Sequence, residues 1–175
     1  MNKPVKKRTV DELVKVSEHL EYEIWMFTSL ADCLAMGFVT GGSLANATLE
    51  AFIIHFRVLY DFFDSHSRKP NDVIADHYFD DPIAWRKSRP KSSRLLDKSR
   101  HRAGKEVAHL SYDRLDVKPD DKGWKFLKIK EDMLELIRAF FRAVPVDRLG
   151  LRCKRRRQQI LEEGQVLNLP GGGQK

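Results

Sequence analysis

LEAFIIHFRVLYDFF, residues 49–63, carries Leu49, Phe52, Phe56, Leu59 and Phe63 at alternating steps of three and four, with Ile53 and Tyr60 widening the apolar stripe. That spacing keeps the apolar side chains on one face of an α-helix, and the face is broad enough to form the centre of a core. The few polar positions include Glu50, His55, Arg57 and Asp61, and Arg57 and Asp61 stand four apart, where helical side chains can pair.

Working outward, Ser43 can cap this helix after the turn-forming pair Gly41-Gly42, and the helix should reach about Ser65. Before it, Thr9-Val10-Asp11-Glu12 has the pattern of a capping box and opens a helix expected to run to about Met36, with Gly37 behind it. After it, Pro70, Pro82 and Pro90 punctuate residues 66–91, where one or two short helices are expected, at Asn71–His77 and at Pro82–Lys87. A third long helix is expected from about Ser92 to His109 or Leu110, with a narrow stripe of Leu95, Leu96, Ala103, Val107 and Leu110 and with Gly104 inside it. Residues 111–124 read as a loop. A fourth helix, with Ile129, Met133, Ile137 and Phe140 on one side, should run from Gly123 or Trp124 to Ala143 and stop at Pro145.

No segment alternates with period two between hairpin signals, so the expected fold is all-α. The simplest arrangement is an up-and-down bundle of four long helices, with the connection 66–91 lying across one end. It would occupy residues 9–145, behind a basic arm at 1–8. A basic segment over 146–164, compatible with helix, would follow, and then a disordered tail at 165–175. There is no long uncharged apolar run and no apolar stretch behind the basic N-terminus, so neither a membrane span nor a signal peptide is expected and the location should be cytoplasmic.

The net charge is +7, and its distribution matters more than its size. Residues 1–8 contribute +4 and residues 145–175 another +4, leaving the middle at −1. Within that middle, residues 86–105 hold nine Lys/Arg and a single acid, Asp97. A basic block of this kind is either a solvated face or a surface for phosphate, and Arg94, Lys98 and Lys105 are its candidate nucleic-acid contacts.

Other chemistry is poorly supported. Neither phosphate-loop pattern occurs, and Gly41-Gly42-Ser43 reads as turn and cap rather than anion site. Glu106-Val107-Ala108-His109 has the spacing used by di-iron bundles but occurs once, so no metal and no cofactor are expected. Cys33 and Cys153 are far apart and fit neither a disulfide framework nor a zinc site. What remains is RHRAGKEVAHLSYDR, residues 100–114. In a continuous helix, seven residues advance about 700°, so Arg102 and His109 share a face about 10 Å apart with Glu106 between them, while Arg100 points to the opposite side. A histidine that moves a proton beside an arginine that holds phosphoryl charge suits phosphodiester cleavage. The plainer alternative is a surface pair of Arg102 with Glu106 and a His109 hydrogen-bonded within the bundle.

An arginine, a gap of four to six residues and a histidine on a helical bundle resemble the HEPN superfamily. Here the motif is Arg102-AGKEVA-His109, and KEVAHLSYDRL, LEAFIIHFRVLYDFF and KGWKFLKI together resemble bacterial proteins of HEPN-like character over about residues 10–145. The resemblance implies a homodimer whose motif helices face each other. It also implies RNA as partner and, in many members, metal-independent endoribonuclease activity that leaves a cyclic phosphate, other members serving in binding or assembly. Carried over, Arg102 would contact the scissile phosphate and His109 would be the acid or base, with Glu106, Arg57 and Asp61 supporting. The chain departs from the pattern at Ala103 and Gly104, where the family usually has a polar residue after the arginine.

Overall fold

The computed structural model describes residues 8–63, 71–107, 112–115 and 123–166. Every regular element among them is helical. Six α-helices are present: α1 (Val10–Ala35), α2 (Gly42–Phe63), α3 (Pro82–Ser88), α4 (Arg94–Arg102), α5 (Phe126–Ala143) and α6 (Leu151–Val166). Residues 1–7 of the basic arm and residues 167–175 of the expected tail lie outside the described residues, while residues 165 and 166, expected in that tail, end α6.

Local chemistry accounts for most helix ends. Thr9 accepts from the Glu12 amide at 3.2 Å and its own amide donates to the Glu12 carboxylate at 2.8 Å, so the capping box closes. At the other end of α1 the chain turns through Gly37, at φ +67°, and the Phe38 amide closes back on the Cys33 carbonyl at 3.3 Å. This is the left-handed exit that glycine makes at little cost. α2 differs from expectation at its start. It begins at Gly42, whose φ of +71° turns the chain into the helix, so Ser43 lies inside the helix and not ahead of it.

The 71–91 connection holds one α-helix and one tighter turn. Asp81 accepts from the amides of Ile83 and Ala84 at 3.0 and 2.9 Å with Pro82 in the first turn, which makes α3 a well-capped short helix. The short helix expected over 71–77 is a 3₁₀ turn at Ala75–Tyr78 instead.

The third long helix is also shorter than expected. Ser93 caps α4 at the Leu96 amide and hydrogen-bonds Asp132 of α5 at 2.5 Å, but α-helical geometry ends at Arg102. A π-helical turn over Ala103–Val107 follows, and Gly104 sits in it, so the widened turn falls where α-helix propensity is lowest. Residues 108–111 lie outside the described residues, and Tyr112–Leu115 form a 3₁₀ turn within the stretch expected as loop. α5 starts at Phe126, later than expected, and Gly123 and Trp124 ahead of it meet Arg102, as described below.

α1 packs along α2 and also touches α5 and α6, while α4 packs on α2 and α5. The buried face of α2 is Phe52, Ile53, Phe56, Leu59, Phe62 and Phe63; Leu49 and Tyr60 flank it partly buried. Phe27 of α1 stacks on Phe52 with ring centroids 5.0 Å apart. Phe140 of α5 is the hub at the other end, meeting Phe62, Tyr78 and Trp85 edge to face at 5.3, 5.4 and 6.1 Å. Each such ring contact is worth about 0.5–1.5 kcal/mol beyond the area it buries.

α6 is tied into the same core. Cys153 and Ile160 are buried, and two side chains of α1 hold its first turn. Buried Ser17 accepts from the Gly150 amide at 2.7 Å, and Glu18 accepts from the Arg152 amide at 3.0 Å. A carboxylate on one helix therefore caps the N-terminus of another, which satisfies free amides and complements the positive end of the α6 dipole. Among the described residues no helix is long and apolar enough to cross a membrane.

Candidate nucleic-acid interface

In the basic block of residues 86–105 three arginines are paired with carboxylates, and several other cations are exposed. Arg86 meets the buried Asp76, its Nε donating at 2.7 Å. Arg100 donates from two nitrogens to Asp61 of α2 at 2.6 and 3.0 Å. Arg102 donates from two nitrogens to Glu106 at 2.7 and 2.8 Å. These three arginines hold the fold together, and their charge is largely spoken for.

On the outer side of α4 the arrangement differs. Leu96, Ser99 and Ala103 are buried against the body of the protein, which turns Arg94, Lys98 and His101 to solvent. Those three stand at i, i+4 and i+7, within about 60° of one another around the helix and spread over about 10 Å along it. Lys105 is exposed on the next turn, and Lys91 is exposed just before the helix. The acid of this stretch, Asp97, accepts from Tyr60 at 2.8 Å and from Ser92 at 2.6 Å. Asp97 is itself exposed, three residues from Arg94 and four from His101, so this single carboxylate lies beside the basic line while held by Tyr60 and Ser92.

Arg102 occupies the position the motif assigns to a phosphate ligand, but its donors are engaged. Besides the two bonds to Glu106 it donates to the Gly123 carbonyl at 3.2 Å, and its guanidinium lies over the Trp124 ring, 4.2 Å from the centroid. A guanidinium held on a carboxylate, a carbonyl and an indole face is a clamp between the end of α4 and the approach to α5. His109, the other half of the motif, lies outside the described residues. The π turn removes the premise of the phase calculation, because i→i+5 bonding after Arg102 breaks the α-helical register that would have carried it seven residues on.

Of the supporting residues, Glu106 belongs to this clamp and the other two are on α2. Arg57 and Asp61 are on α2, 3.9 Å apart, and the close partner of Asp61 is Arg100. Sequence spacing reached Arg57 with Asp61 and Arg102 with Glu106 because each pair is four apart. It missed Arg100 and Trp124, whose partnerships depend on how the chain folds back; the one clue for Trp124 was its place just before a helix. Among the described residues no three His, Cys, Asp or Glu side chains gather to hold a metal ion. No family model, curated protein or solved structure matches the chain, so its own geometry is what bears on function.

Proposed function

We propose that this chain is an RNA-binding helical domain that takes the phosphate backbone along the outer face of α4. The observation that carries the proposal is the exposed line Arg94, Lys98 and His101, continued by Lys105, beside a single acid, Asp97, whose carboxylate is engaged by Tyr60 and Ser92. Cations on a rigid helix attract a polyanion through counterion release with little ordering cost. In the HEPN-like form of this proposal, α1, α2, α4 and α5 form an up-and-down bundle, the protein is a cytoplasmic homodimer, and the α4 regions of two subunits lie together. Binding of a labelled single-stranded RNA, followed by anisotropy, tests it. Replacing Arg94 and Lys98 together with Gln should weaken binding severalfold at moderate salt while leaving the fold unchanged, because both side chains stand in water. Unchanged affinity in that variant removes the α4 face from the interaction.

Metal-independent cleavage is the second function, and Arg102 sets its condition. The arginine must exchange Glu106 for a phosphate before it can act beside His109, so the engaged geometry supports binding more strongly than cleavage. Incubation with RNA in EDTA separates the two. A nuclease gives cyclic-phosphate ends that vanish in His109→Ala and Arg102→Ala variants that remain folded, whereas a binding module leaves the RNA intact. Replacing Glu106 with Gln loosens the clamp and should raise RNA affinity under either outcome.

A further inference from the structure

We infer that the cleft between α2 and the π turn is a binding site for a small organic anion with an apolar body, such as an aromatic or aliphatic carboxylate. The cleft has a volume of about 200 Å³ and is walled by Ile54 and Val58 of α2 and by Ala103 and Val107 of the π turn, with Arg57 and Asp61 at its edge. Ile54 is 52% exposed and Val58 44%, and because they stand four apart on α2 they present one apolar strip beside the cleft.

Charge selects the ligand. Asp61 lies between two arginines and is neutralised by Arg100, which grips both carboxylate oxygens. Arg57 stands 3.9 Å from the same carboxylate, outside hydrogen-bond reach, and has no other partner among the described residues. Its side chain is 36% exposed, so among the described residues a guanidinium in excess of the nearby negative charge sits at the mouth of an apolar cleft. Apolar walls with one placed polar group are the usual build of a small-ligand site, and a carboxylate matches the guanidinium fork. The π turn supplies the second wall, a geometry found often at functional positions. This site is independent of the RNA surface, which lies on the other side of α4.

Methyl NMR of the full chain, titrated in turn with benzoate, benzamide and acetate, tests the assignment. Benzoate should give saturable shifts confined to the Ile54, Val58 and Val107 methyls. Benzamide, lacking charge, and acetate, lacking the apolar body, should each bind about tenfold more weakly or worse. Arg57→Gln should weaken benzoate by a similar factor. If that variant loses its fold, Val58→Glu, which places a carboxylate at the mouth, should show the same loss. The inference is overturned by the absence of saturable benzoate shifts at these methyls, by benzamide binding as tightly as benzoate, or by an affinity indifferent to the folded variant.

Discussion

Replacing Gly150 with Ala probes how α6 is fastened to the body of the protein. Positive φ among the described residues is confined to Gly37 and Gly42, so the backbone at 150 accepts an L side chain without strain. The obstacle is spatial: a Cβ there would lie 2.0 Å from Oε1 of Glu18, 2.7 Å from its Cδ and 2.9 Å from its Cγ. All three atoms belong to one flexible side chain, so the carboxylate can swing aside, but in doing so it abandons the Arg152 amide that it caps. Losing a cap costs about 0.5–2 kcal/mol, and an off-rotamer escape about 0.5–1.5 kcal/mol. The paired Arg152 side chain stands mostly in water and adds little. Gly150→Ala should therefore destabilise by about 2 kcal/mol, a fall in Tm of roughly 4–8 °C for a chain of this size. The decisive assay is a double-mutant cycle by chemical denaturation. In a Glu18→Ala background the obstacle and the cap are already gone, so Gly150→Ala should cost less than about 0.5 kcal/mol. An equal cost in both backgrounds would refute the tertiary cap.

Acid should loosen the same junction. Burial pushes the Glu18 carboxyl up, but Arg152 and the amides of Arg152 and Cys153 outweigh it and hold its pKa below the ordinary 4.5. A depressed carboxylate contributes stability in full above its unfolded value and loses it as pH falls through the folded one. Wild type should thus shed more stability than Glu18→Gln as pH drops below about 4.5, read as the difference in Tm between the two proteins. Phe140→Ala removes the hub of the aromatic cluster and should cost about 3–5 kcal/mol in urea denaturation; a loss under 1 kcal/mol would show that the rings do not pack as described. Burial, with the nearby Glu18 and Glu21 carboxylates, pushes the Cys153 thiol up to about 12. In native protein at pH 8 it should resist alkylation that it undergoes once the chain is unfolded.

What the sequence made legible was what is local. The α2 stripe, the Thr9 capping box and the Asp81-Pro82 start of α3 are each complete within a few residues, so periodicity and cap chemistry suffice to read them. Gly104 gave notice of trouble in the third helix, but the π turn over Ala103–Val107, with Ala103 buried, is not encoded in the spacing of its residues. The cap on α6 comes from Glu18 and Ser17, more than a hundred residues earlier, so a segment that looks merely basic is anchored by groups with no sequence relation to it. The candidate site divides the same way. Arg102 and Glu106 are four apart in the chain and were legible as a pair, whereas the hold of Gly123 and Trp124 on that arginine arises only when the chain returns.

The central claim, that the outer face of α4 carries RNA phosphates, is tested most directly by the salt dependence of binding. On a single strand each neutralised phosphate contributes about −0.7 to the slope of log K against log salt concentration. Wild type should show a steep negative slope, and replacing Arg94 and Lys98 with Gln should make it shallower by about 1.4. A slope that is flat in the wild type, or identical in the two proteins, would contradict the claim.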